Sequence, residues 1–122
     1  MPGVPSVLIV EDEMLVAALM TELVEELGCQ VIGPASDVDE ALQIAGQTDV
    51  DFAVLDINIA GKPSYPVAET LQRRGIPFVF TTGYTVDHID KTYGCPVISK
   101  PFDSTYMQSV AAGQLGLAMP SR

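Results

Sequence analysis

The chain has 122 residues, of which 48% are hydrophobic and 18% charged, so it can bury a core and is neither disordered nor membrane-spanning. Its net charge is −10, which excludes binding to phosphate backbones or anionic membranes as the main activity, because both need a basic footprint. The charge is lopsided: residues 1–61 hold 12 acids and no Lys or Arg, and the first base is Lys62.

In chain order, Val7–Val10 is an apolar run that ends in Glu11-Asp12. Val16, Leu19, Met20, Leu23, Val24 and Leu27 then recur with helical spacing, and Gly28 stops that helix. Gln30–Gly33 reads as a second strand. Ser36 is placed to cap a second helix, whose first turn carries Asp37, Asp39 and Glu40 where the helix dipole favours acids. Phe52–Leu55 is a third apolar run, ending in Asp56. Pro66 starts a third helix with Val67, Ala68 and Leu71 inward, closed by Gly75. Ile76–Phe80 is a fourth strand, followed by Thr81-Thr82-Gly83. Residues 84–93 are weakly patterned. Val97-Ile98 is a fifth strand, and Asp103 or Ser104 caps a last helix running to about Met119, weakened by Gly113 and Gly116.

Five β-α units in succession imply a parallel sheet covered by helices on both faces. Ligands of such sheets bind at the carboxyl ends of the strands. Glu11 and Asp12 end the first strand, Asp56 the third, Thr82 the fourth and Lys100 the fifth. If the first and third strands are neighbours, three carboxylates converge. Charges that close repel unless a cation neutralises them, and Mg2+ suits an all-oxygen site that shares phosphate. Asp56 is the best phosphoryl acceptor, Asp12 a direct metal ligand, Glu11 a ligand through water, and the Asn58 carbonyl a further oxygen. Capping is the competing reading: Glu11 or Asp12 could open the first helix, and Asp56 could cap a turn. With one histidine, His88, and no zinc-spaced Cys/His cluster, neither a His-centred triad nor a zinc site fits.

The segments VLIVEDE (7–13), FAVLDIN (52–58), PFVFTTGY (77–84) and SKPF (99–102), in this order, resemble a response-regulator receiver domain of two-component signalling. The resemblance implies a flavodoxin-like (CheY-like) α/β fold with a five-stranded parallel sheet in the order 2-1-3-4-5 and helices on both faces. It implies phosphorylation of Asp56 by a histidine kinase or phosphotransfer protein, and Mg2+ bound by Glu11, Asp12, Asp56 and Asn58. It further implies phosphoryl contacts from Thr82, Gly83 and Lys100, and a cis bond between Lys100 and Pro101. PFVFTTGY resembles a subgroup with a PFxFATGY loop, often single-domain and served by HWE-type kinases; here Thr81 stands where Ala is usual. Val97 occupies the place of a switch Tyr or Phe, so the reading of phosphorylation is expected to shift to residues 82–93. Asn58 and Tyr84 stand where family members tune the phosphoryl lifetime.

Met14, Leu15 and Ala18 lie off the first helix's apolar stripe, where a kinase helix would dock. The expectation is one receiver domain over residues 1–122 (core about 6–119), cytoplasmic, without an output domain after Met119, and catalytic only in its own dephosphorylation. The alternatives are a Mg2+-dependent aspartyl-phosphate phosphohydrolase and an unphosphorylated interaction module. The hydrolase needs a second acid near its nucleophile, and the chain has Asn58 there.

Overall fold

The computed structural model describes residues 3–82, 97–99 and 104–120. The elements are β1 (Ser6–Val10), α1 (Met14–Glu26), β2 (Gln30–Ala35), α2 (Val38–Gln47), β3 (Phe52–Asp56), β4 (Asn58–Ile59), β5 (Lys62–Pro63), α3 (Tyr65–Arg73), β6 (Phe78–Thr82), β7 (Val97–Ser99) and α4 (Ser104–Leu115). Five strands form a parallel sheet in the order β2-β1-β3-β6-β7. This is the expected 2-1-3-4-5 order, with β4 and β5 taking the intervening numbers as a separate antiparallel hairpin.

The sheet is buried on both faces, which is why its strands read as unbroken apolar runs rather than alternating ones. Alternate residues feed two layers. Leu8, Val10, Ala53, Leu55, Phe78 and Phe80 pack with residues of α2 and α3. Val7, Ile9, Phe52, Val54, Val79 and Ile98 pack with residues of α1 and α4. In the first layer, Phe78 and Phe80 meet edge to face at 5.5 Å, and Tyr65 meets Phe80 the same way at 5.7 Å.

Two helix ends follow the expected glycines. After α1, the Gly28 N–H donates to the Glu25 carbonyl and the Cys29 N–H to the Val24 carbonyl, with Gly28 at φ +84°. After α3, Gly75 and Ile76 repeat the pattern onto Gln72 and Leu71, with Gly75 at φ +71°. Both are Schellman closures, which need a left-handed residue that only glycine adopts without steric cost.

Several boundaries differ from the sequence reading. The buried stripe of α1 is Ala17, Met20, Leu23 and Val24. Leu19 is 40% exposed and Val16 is half-buried, so the face is rotated by about one residue from the one expected. The second strand runs on to Ala35 through a cis Gly33–Pro34 bond. Asp37, not Ser36, caps α2: its carboxylate accepts the Glu40 N–H at 2.7 Å, and Glu40 reaches back to accept the Ser36 N–H at 3.1 Å. The fourth strand starts at Phe78, because the Ile76 N–H is engaged in closing α3. The last helix ends at Leu115 rather than near Met119: Gly116 turns left-handed, and the Leu117 N–H closes onto the Ala112 carbonyl. The expectations for residues 84–93 lie outside the described residues.

Two polar ties cross between helices. The buried Gln108 of α4 donates to the Leu23 carbonyl at 3.0 Å and to the Glu26 carboxylate at 3.2 Å. Arg74, after α3, donates to the Ala45 and Thr48 carbonyls at 2.6 and 2.8 Å, supplying a cation at the carbonyl end of α2. Among the described residues no helix is long and apolar enough to cross a membrane.

Candidate functional site

Pairing of β1 with β3 sets Val10 beside Leu55. The residues that follow each strand therefore leave the sheet together. Val7–Val10 and Phe52–Leu55 have no exposed surface, which fixes both strands and the carboxylates they carry out. Carboxylate oxygens of Glu11, Asp12 and Asp56 lie within 4.8 Å of one another. Glu11 is 2% and Asp56 6% exposed, whereas Asp12 stands in solvent.

Each acid is oriented by backbone. The Glu11 N–H donates to the Ala35 carbonyl at 3.0 Å, and its side chain accepts the Glu13 N–H at 3.1 Å. Asp12 accepts the Ala60 N–H at 2.9 Å. Asp56 accepts the Asn58 N–H at 3.3 Å. The first helix begins at Met14 with Glu13 at the cap position and no acid in its first turn, so Glu11 and Asp12 are not its capping residues. Oxygen-only ligands at this spacing fit a hard cation, whose charge would offset their mutual repulsion.

The hairpin at residues 58–63 escaped the sequence reading. Its turn is Ala60-Gly61, with φ of 50° and 83°. Left-handed geometry at both central residues matches the twist of a two-residue hairpin. A glycine-containing pair between Ile59 and Lys62 was the available signal, too short for periodicity to reveal. The hairpin is tied at its base by the buried Ser64, whose hydroxyl donates to the Asp56 carbonyl at 2.6 Å and whose N–H donates to the Ile57 carbonyl at 2.7 Å. It thus holds Asp12 at its tip and Asp56 at its base.

Thr82 ends β6 and is 1% exposed. Its neighbour Thr81 pairs in register with Asp56 on one side and Ile98 on the other. Val97 is half-buried against the α2–α3 layer. Gly83, Lys100 and Pro101, with the cis bond expected before Pro101, lie outside the described residues, as does the 83–93 part of the expected readout segment.

On α1, Met14 and Leu15 are 84% and 86% exposed, and Ala18 is exposed beside them. A cavity of about 500 Å3 opens next to the acids, between α1 and the end of β2, with Glu11, Asp12, Ala18, Thr21, Pro34 and Ser36 in its lining.

Comparison with known proteins agrees with this geometry. The chain is 32% identical over 121 residues to the phyllosphere-induced regulator PhyR of Methylorubrum extorquens, covering 95% of this chain and 45% of that protein. It spans under half the length of the curated relatives it matches. The solution structure of SdrG from Sphingomonas melonis Fr1 superposes with a TM-score of 0.81 at 38% identity, covering 94% of this chain and 99% of that one. The BeF3-activated conformation of SdrG from Pseudomonas melonis Fr1 superposes at 0.75 with 37% identity, over 93% and 99% of the two chains. The family model of the response regulator receiver domain matches residues 7–111. With its strand order and its acids at the carboxyl ends of β1 and β3, the chain belongs to the response regulator receiver domain family.

Proposed function

We propose that this receiver accepts a phosphoryl group on Asp56 from a histidine kinase or phosphotransfer protein, and acts as a phosphorylation switch or phosphate sink. The observation that carries this is the convergence of Glu11, Asp12 and Asp56 within 4.8 Å, with Asp56 at the end of a wholly buried strand. In the transfer, an Asp56 carboxylate oxygen attacks the donor phosphorus. The bond from phosphorus to the donor nitrogen breaks, and its electron pair stays on the imidazole.

Glu11, Asp12, Asp56 and the Asn58 carbonyl are the residues that would hold Mg2+. Bound there, Mg2+ would offset the negative charge of the phosphoryl oxygens. Asp12 is oriented for this by the Ala60 N–H, and Asp56 by the Asn58 N–H. Thr82, Gly83 and Lys100 are the proposed phosphoryl contacts, and Pro101 the proposed cis residue. Met14, Leu15 and Ala18 form the proposed kinase face, and their exposure supports it. An HWE-type kinase and a cytoplasmic setting belong to the same reading. SdrG, 38% identical and matched over 99% of its chain, supports the receiver reading. The BeF3-activated conformation of SdrG, 37% identical, supports a receiver that can be switched to an activated state.

Incubation with acetyl phosphate and Mg2+, followed by intact mass measurement, tests this. One added phosphoryl group, absent in Asp56→Asn, is expected. No adduct in the wild-type protein would leave an unphosphorylated interaction module. Multiple turnover of small phosphomonoesters would mark a phosphohydrolase instead.

A further inference from the structure

Thr81 has no exposed surface, and among the described residues its hydroxyl oxygen makes no hydrogen bond. A buried hydroxyl without a partner gives up its bonds to water and gains none in return, a net cost to the fold. Valine has nearly the same shape without that cost, and Thr81's neighbours along the face are Val79 and Ile98. The chain nonetheless places a hydroxyl here.

The sheet register gives it a target. Alternation along β6 puts Thr81 on the same face as Val79, towards α1 and α4. Along β3 the same alternation puts Asp56 on the face of Phe52 and Val54, and along β1 it puts Glu11 on that of Val7 and Ile9. Asp56 and Thr81 are direct partners across the two strands. Adjacent strands lie about 4.8 Å apart, so side chains at paired positions on one face are within reach of each other.

We propose that the Thr81 hydroxyl donates a hydrogen bond to the carboxyl oxygen of Asp56 that leaves phosphorus, and so shortens the life of the phosphorylated state. This rests on Asp56 being the phosphoacceptor. In hydrolysis, the oxygen of a water molecule bonds to phosphorus and the bond from phosphorus to the Asp56 oxygen breaks. The electron pair returns to the Asp56 carboxylate, and the water's proton leaves with the phosphate or passes to solvent. Negative charge grows on the Asp56 oxygen as the bond breaks. A hydroxyl on the paired residue of the same face can turn to donate to that oxygen and stabilise the charge. The hydroxyl that lacks a partner in the resting site gains one as the reaction proceeds.

The test compares wild type, Thr81→Val, Thr81→Ser and Asp56→Asn as full chains. Each is phosphorylated with acetyl phosphate and Mg2+, the donor is removed, and loss of the phosphoryl mass is followed with time. Thr81→Val is expected to lengthen the lifetime about three- to tenfold, the size of losing one hydrogen bond of about 1 kcal/mol. Thr81→Ser, which keeps the hydroxyl, is expected to stay within about twofold of wild type by the same relation. Equal lifetimes for wild type and Thr81→Val would overturn the proposal and leave Thr81 a purely structural residue. A serine variant that behaves like valine would overturn it too. Thr81→Ala provides the same comparison should the valine variant fold poorly. Absence of an adduct in wild type, or its persistence in Asp56→Asn, refutes the acceptor assignment itself and is a separate result.

Discussion

The layer between the sheet and helices α2 and α3 is mainly aliphatic and aromatic, with Thr82 at its edge on the face of Phe80, while alternation along the strands places Glu11, Asp56 and Thr81 on the side of α1 and α4, where Gln108 is also buried. Both pack against the same strands. Alternation along each strand sends its neighbouring residues to opposite sides, so one strand serves both layers. The difference teaches that the acids do not replace core. They lie where β1 and β3 end, on the face whose helices already tolerate buried polar groups, while the opposite face supplies apolar packing.

The largest expected effect breaks the apolar side alone. Leu71→Ala removes a fully buried side chain of α3 and is expected to cost about 2–5 kcal/mol in urea unfolding. The folded fraction should still take up the phosphoryl group. Loss of uptake in the folded protein would show that the two layers are not separable.

On the other side, saturating Mg2+ is expected to stabilise the wild-type chain, by about 2.7 kcal/mol at a hundredfold excess over its dissociation constant. Asp12→Asn, which removes one of the three converging charges, should abolish most of that gain while melting close to wild type without the ion. Thermal melts of both proteins with Mg2+ and with a chelator measure it. An equal Mg2+ gain in the variant would place the cation elsewhere.

A smaller effect sharpens the contrast within the α1–α4 layer. Gln108→Ala deletes the tie to the Leu23 carbonyl and the Glu26 carboxylate and is expected to cost about 1–2 kcal/mol. Amide exchange should rise first at the end of α1 and along α4, with the Mg2+ gain unchanged.

The smallest effect concerns pH. Burial, and secondarily the charge of Asp51, hold the Cys29 thiol above its ordinary value of 9.0. A thiol raised in the folded state contributes stability that is complete below the unfolded value and is lost as pH rises through the folded one. In a Cys95→Ser background, stability should therefore decline above about pH 9, and less so in the added Cys29→Ser variant. Urea midpoints across that range measure it.

Much of this was legible in the chain. Apolar runs ended by acids mark buried parallel strands, so Asp56, Glu11 and Asp12 could be assigned to strand ends before any coordinates. What was not legible is short or shared. The hairpin at 58–63 has two residues per strand, below the length at which alternation is visible. Leu19 and Ala17 exchange places because an apolar stripe read at 3.6 residues per turn does not say which edge meets the sheet. Ser36 and Asp37 are both good caps, and only backbone conformation decides between them. The hydroxyl of Thr81 looks like any strand threonine until its register against Asp56 is known.

The hairpin also bears on the order in which the molecule assembles. Asp12 meets Ala60 across 48 residues, and Glu11 meets Asp56 only once β1 and β3 have paired. The acidic cluster is therefore a product of non-local closure, and such contacts are slow to form. A partly folded chain with only α1 and β1 in place would offer isolated carboxylates and no cation site. If the cluster completes after the rate-limiting step, Mg2+ should slow unfolding while leaving the refolding rate nearly unchanged. Phosphoryl acceptance would then be confined to chains that have finished folding.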